Sequence, residues 1–498
     1  MSNIIEIPVL DKHKRYLDNY KPNDLYWALG LEEEFYLESS KPVYMTSEEI
    51  TTNQKQERYS VNYRTSFKEP ILDAALASWL LSQPNPRAIP IPLLVNSHSL
   101  TRTDRNGEPQ TTYSKNPKPN PAFCGKTVHE ELCDSSVWLR DNYGKVYCYD
   151  GNTIEIMTQG YYKATAESVC RELYLQRSRF FSEAAPLLNK MPAFKPHGPI
   201  ILQRGNYGLA TYLTSSPSPS NEGSQVNLCN NGTLHVNLTM PTLLNEECWP
   251  SDIEKFREQH LQAIRLIQWL EPLLVAVYGE PDFLSSVSSS FSKASQRCAI
   301  SRYISISNYD TKEAKPGKIL STREIPEWYR LYHKTSAYRQ LEEIGFDIQF
   351  NKFPRHGIEL RIFDRLPDNK IRQLVRFLVL LLDRSLELAG SVARQDNNPD
   401  VSTTSLLVVA PQSYDVWTNW LVDILRYGKE ARPETQLIAL YEELIGCKLP
   451  GNVMGMFDTA FTHLEQRFAT SGYCSSRMLS QQTVRQPIVI EKKKVFCC

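Results

Sequence analysis

Four short segments, far apart in the chain, share one unusual alternation. They are ALGLEEEFYL (28–37), NTIEIM (152–157), TLHVNLTM (233–240) and GIELRIFD (357–364). In a β-strand successive side chains point to opposite faces, so residues two apart share a face. The first segment then carries Leu29, Leu31, Glu33, Phe35 and Leu37 on one face, with Gly30, Glu32 and Glu34 on the other. In the second, Ile154 and Ile156 oppose Thr153, Glu155 and Met157. In the third, Leu234, Val236, Leu238 and Met240 oppose His235, Asn237 and Thr239. In the fourth, Ile358, Leu360 and Ile362 oppose Glu359, Arg361 and Phe363.

Taken singly, each segment reads as an amphipathic strand of a half-buried antiparallel sheet with a solvated outer face. Taken together, the polar faces have the wrong chemistry for that. Solvated strand faces favour Thr, Lys, Ser and Gln, whereas these carry Glu, His and Asn, the donors of divalent-cation sites. Carboxylates gathered on one sheet face repel one another unless a cation lies between them. Mg²⁺ or Mn²⁺ suits such a donor set, and the expectation is that the four strands are neighbours.

A chain of 498 residues, 41% of them hydrophobic, can bury a substantial core. That length suits one large α/β or α+β unit with insertions, or two or three ordinary domains. With 56 Lys and Arg against 56 Asp and Glu, nothing in the overall charge favours a nucleic-acid partner. The opening MSNIIEIPVLDKHKR has no basic stretch followed by a long apolar one, and the longest apolar run, FLVLLL (377–382), is too short to span a bilayer. A soluble, cytoplasmic protein is expected. The eleven cysteines contain no C-x-x-C pair, which argues against a disulfide framework and a zinc cage.

Proline-rich stretches PNPRAIPIP (84–92), NPKPNP (116–121) and SPSPS (216–220) read as loops, and 84–135 reads as an insertion in a single unit covering 1–470. Ser251 and Glu254 fit a capping box ahead of a long helix. A second helix is expected from Asp368 to Leu388, ending near Gly390, a third from near Thr165, and more between 413 and 470. Residues 471–498 read as a polar tail.

The motifs G-x-E-x-E-F, H-x-N and G-I-E-L-R-I-F-D, in that order, resemble the glutamine synthetase superfamily, and within it the glutamate–cysteine ligase and related carboxylate–amine ligases. GLEEEFYLE is similar to their first metal strand, and DGNTIEIMTQGYYKATAESVCREL to their E-x-x-T strand leading into a helix. GTLHVNLTMP is similar to their G-x-x-H-x-N strand and HGIELRIFD to their E-x-R-x-x-D strand. The matches are islands between about 27 and 365.

The resemblance implies an α+β fold: a curved, mainly antiparallel sheet whose concave face binds ATP, Mg²⁺ and glutamate, with helices on the other face. It implies that Glu32, His235 and Glu359 hold the metal that contacts the nucleotide phosphates, and that Glu34 and Glu155 hold the metal nearer the amino acid. It implies Arg361 on the transferring phosphoryl group and Asn237 and Glu155 beside the substrate. Arg297 and Arg302 are further catalytic candidates, and Arg355, which precedes His356 in the PRHG hairpin, a weaker one. Glu33 points away from this set and is expected in an ion pair. The implied reaction activates the glutamate side-chain carboxylate as an acyl phosphate and joins it to an amine, with cysteine the leading acceptor and glutathione biosynthesis the setting.

Two other classes stand beside that one. A guanidino-kinase-type phosphotransferase would use the same groups without ligation, and a non-catalytic binding or structural protein could keep the sheet alone. The ending EKKKVFCC resembles the double-prenylation terminus of small vesicle-traffic GTPases, so membrane tethering through Cys497 and Cys498 is an alternative to an idle terminus.

Overall fold

In the computed structural model the four segments lie side by side. The residues described are 11–35, 37–39, 128–150, 153–190, 199–202, 233–280, 348–350, 357–395 and 411–468, with isolated residues and short pairs between them. The segments form β1 (Leu29–Phe35), β3 (Thr153–Met157), β4 (Thr233–Leu238) and β6 (Ile358–Asp364). With β2 (Tyr147–Asp150) and β5 (Ile348–Phe350) at the edges, they make a six-stranded sheet of order β2-β3-β1-β4-β6-β5. Every neighbouring pair is antiparallel, and the chain is of the α+β class.

Because a slip of one residue would turn every side chain to the other face, the apolar rows hold the register. Glu155 stands opposite Glu34 and Met157 opposite Glu32. On the other side of β1, His235 stands opposite Glu32 and Asn237 opposite Gly30, and Asn237 in turn faces Glu359 of β6.

Strict alternation fails at one place. Leu234 pairs with Phe363 but Val236 pairs with Leu360, so Arg361 and Ile362 together face the single residue His235. The bulge turns the next side chain of β6 to the other face. Phe363, expected on the polar face with Glu359 and Arg361, instead packs edge-on against Tyr278, with ring centroids 6.3 Å apart.

Among the described residues the helices are α1 (Asp11–Asp18), α2 (Val128–Ser135), α3 (Val137–Asn142), α4 (Ala166–Leu188), α5 (Ile253–Tyr278), α6 (Asp368–Gln395), α7 (Pro411–Tyr427), α8 (Thr435–Ile445) and α9 (Val453–Phe468). Helix α4 packs on β1, α5 packs on β6, and α6 touches both helices. Together they cover the apolar rows, as the edge-on contact of Phe35 with Phe180 illustrates. The FLVLLL run is buried on every side inside α6, where Phe377 meets Phe457 of α9. Trp417 of α7 donates its indole N–H to the Trp269 carbonyl at 3.1 Å, fixing the outer helices on α5.

Helix α4 starts near Thr165, as the sequence leads one to expect, and Thr165 caps it in a full capping box with Ser168. Two helix ends differ from expectation. The cap of α5 is Asp252, whose carboxylate accepts from the Lys255 amide at 2.9 Å, because the Ser251 amide is committed to the Leu243 carbonyl at 2.8 Å. Helix α6 runs through Gly390 to Gln395. An interior glycine costs only about 1 kcal/mol, less than the burial of the run before it contributes.

Of the stretch 84–135 read as an insertion, Val128–Ser135 is helix α2, and most of the rest lies outside the described residues. So do Arg297, Arg302, Arg355, His356 and the tail from 471, including Cys497 and Cys498. Among the described residues no helix is long and apolar enough to cross a membrane. No disulfide joins the described cysteines Cys133, Cys148, Cys170, Cys248 and Cys447 to one another.

Candidate metal centre

The polar side chains stand in rows across the sheet. One row runs Cys148, Glu155, Glu34; the next runs Met157, Glu32, His235; the third runs Gly30, Asn237, Glu359. Glu34, Glu155, His235, Asn237, Glu359 and Arg361 are all buried, and Glu32 is partly so. A solvated outer face is therefore excluded.

His235 is the hub. Its Nδ1 lies 3.2 Å from Glu32 Oε2 and 3.8 Å from Glu359 Oε1, and its Nε2 lies 3.7 Å from Glu34 Oε1. One ligand atom from each of Glu32, His235 and Glu359 falls within 4.8 Å of the other two, so these three could hold a metal ion. Asn237 donates its amide N–H to Glu32 Oε1 at 3.3 Å, and Arg361 Nη1 lies 3.6 Å from Glu359 Oε1. At the far row, the Cys148 thiol donates to Glu155 Oε2 at 3.5 Å.

Backbone details hold β1 in place. The Thr158 hydroxyl accepts from the Leu31 amide at 2.9 Å, and the Thr239 hydroxyl accepts from the Ala28 amide at 2.6 Å. Gly357, with φ +63°, leads into β6, and a Cβ there would lie 2.5 Å from the Leu238 carbonyl oxygen. Its position supplies the left-handed turn that brings Glu359 beside His235.

Glu33 faces the helices, where its Oε2 meets Arg177 Nη1 at 2.6 Å and its Oε1 lies 3.3 Å from Arg365 Nε. The expected ion pair is present, and the Glu33 carboxylate is fully buried.

Sequence reasoning missed Tyr161. Its ring lies over Gly30 on the polar side, where an added Cβ would come within 2.5 Å of Cδ2. Burial first, and then the charges of Tyr16, Glu32 and Glu359, push its hydroxyl well above the usual range, so it stays protonated. The signal was Gly30 itself: a glycine inside a strand often marks a close approach by another group.

The donor set fits a divalent cation. Two carboxylates at about 5 Å repel by on the order of 3 kcal/mol at an effective dielectric near 20, and this is the repulsion a cation removes. Two carboxylate oxygens with one imidazole nitrogen suit Mg²⁺ or Mn²⁺, and no thiolate stands among the three to select a softer metal.

Fold and site together define an α+β protein whose antiparallel sheet bears a buried carboxylate–imidazole centre on the face opposite α4, α5 and α6. No family model matches the chain. It is 37% identical over 396 residues to "Uncharacterized protein R704" of Acanthamoeba polyphaga mimivirus, a match covering 77% of this chain and 67% of that protein. The chain belongs to the same family as that viral protein.

Proposed function

We propose that the chain is an ATP- and Mg²⁺-dependent ligase on a glutamine synthetase-like sheet. It activates the glutamate side-chain carboxylate as an acyl phosphate and joins it to an amine, with cysteine the acceptor favoured by the resemblance of its motifs to glutamate–cysteine ligases. The observation that carries this reading is the convergence of Glu32, His235 and Glu359 from three adjacent strands, with Arg361 beside Glu359.

When bound there, a divalent cation supplies charge neutralisation for nucleotide phosphates. The protein groups do the rest. Arg361 keeps its charge at any working pH, and its planar guanidinium matches the oxygens of a phosphoryl group. Asn237 orients the Glu32 carboxylate through its amide N–H. Glu34 and Glu155, directly opposed across β1 and β3, offer a second pair of carboxylates on the same face. Burial of these groups keeps water from an acyl phosphate until the amine arrives.

The test incubates the chain with ATP, Mg²⁺, glutamate and a panel of amines, reading released phosphate and product. An amide plus free phosphate is expected, with cysteine in the panel. A stable phosphorylated acceptor would place the chain among phosphotransferases instead. No ATP consumption with any acceptor, and no nucleotide binding in Mg²⁺, would leave only a binding or structural role.

A further inference from the structure

The polar face has an end wall that no motif announces. Residues 161–163 run beside 27–29, tied by the Leu29 amide to the Tyr161 carbonyl at 3.2 Å and by the Lys163 amide to the Trp27 carbonyl at 2.9 Å. This lays the Tyr161 ring against the backbone of Gly30, where an added Cβ would sit 2.5 Å from Cδ2 and 2.7 Å from Cε2. Gly30 stands directly opposite Asn237, and Asn237 donates to Glu32. The Tyr161 ring is shut off from water and packs with Tyr16, Tyr26 and Ala28 in a small second core.

We infer that Tyr161 is a positioning residue of the centre: seated on Gly30, it closes one end of the polar face and, through Asn237, sets where the Glu32 carboxylate stands. The inference rests on the cation site of the proposed ligase. Glycine at 30 and tyrosine at 161 act as one unit, since any side chain at 30 would occupy the volume of the ring. The ring acts on the Glu32 carboxylate through Gly30 and Asn237, and loss of a group that orients a metal ligand weakens metal binding by roughly 10–100-fold.

The experiment titrates Mn²⁺ into the full chain and follows the paramagnetic resonance of the free ion, well below each variant's melting temperature. Wild type is expected to bind, and Glu359→Gln to lose that binding. Tyr161→Phe, which keeps the ring, is expected to bind as wild type does, and Tyr161→Ala, which empties the seat on Gly30, to weaken binding about tenfold. Gly30→Ala, which displaces the ring, is expected to weaken it at least as much. If Tyr161→Ala and Gly30→Ala both bind as wild type does while Glu359→Gln does not, the role of Tyr161 is overturned and the cation site stands. If wild type and Glu359→Gln are indistinguishable, both ideas fall.

Discussion

Arg177 of α4 joins the helical layer to β1: its Nη1 lies 2.6 Å from Glu33 Oε2, and its Nη2 lies 2.6 Å from Asp368 Oδ1 at the start of α6. Burial works against the Arg177 charge, but Glu33 and then Asp368 more than offset it and raise the guanidinium above its ordinary value. Glu33 thus alternates with two centre-facing neighbours, Glu32 and Glu34, while serving the opposite layer.

Removing one partner of this buried pair should be costly. Glu33→Ala is expected to destabilise the fold by about 3–5 kcal/mol, because it removes the buried counter-charge shared by Arg177 and Arg365 and leaves Arg177 with the half-exposed Asp368. Urea unfolding measures this, and a Glu33→Leu/Arg177→Leu double variant should recover part of the loss. A single-variant loss under about 1 kcal/mol would show that the pair is not closed as described.

His260 predicts a pH dependence. It is fully buried on α5, accepting from the Met240 amide at 2.9 Å and donating to the Phe256 carbonyl at 2.6 Å, and burial lowers its pKa from 6.5 to about 4. The folded state therefore resists protonation that the unfolded state accepts. The stabilisation is complete above the unfolded value of 6.5 and is lost as pH falls toward 4, amounting to on the order of 3 kcal/mol. Unfolding free energies at pH 7 and about 4.5 should differ less in His260→Gln than in wild type; an equal difference would refute the assignment.

Gly357→Ala meets two obstacles, a φ of +63° and a Cβ 2.5 Å from the Leu238 carbonyl oxygen. We expect a loss of about 1–3 kcal/mol, seen as a lowered melting temperature, because the substitution adds strain and forces β4 and β6 apart. An unchanged melt would mean that the turn into β6 is looser than its geometry implies.

Variants of the proposed site should behave differently from these structural ones. Glu32→Ala and Arg361→Ala are expected to abolish ATP turnover while circular dichroism and melting temperature stay close to wild type. Full turnover in both would remove the proposed site.

Much of the fold was present in local pattern. The two-residue period identified β1, β3, β4 and β6 and put Glu32, Glu34, Glu155, His235, Asn237, Glu359 and Arg361 on one side, since face alternation is a property of the strand backbone alone. It also set Glu33 apart from its neighbours. What the strands pair with is a different matter. The order β3-β1-β4-β6 joins segments separated by long stretches of chain, and only packing of their apolar rows under α4, α5 and α6 brings Glu32, His235 and Glu359 within 4.8 Å. The bulge facing His235 depends on the partner strand, so no one-strand pattern could move Phe363 to the core. Tyr161 over Gly30 and Arg177 beneath Glu33 arise the same way: a residue's own neighbours determine which face it takes, and the rest of the molecule decides what it meets there.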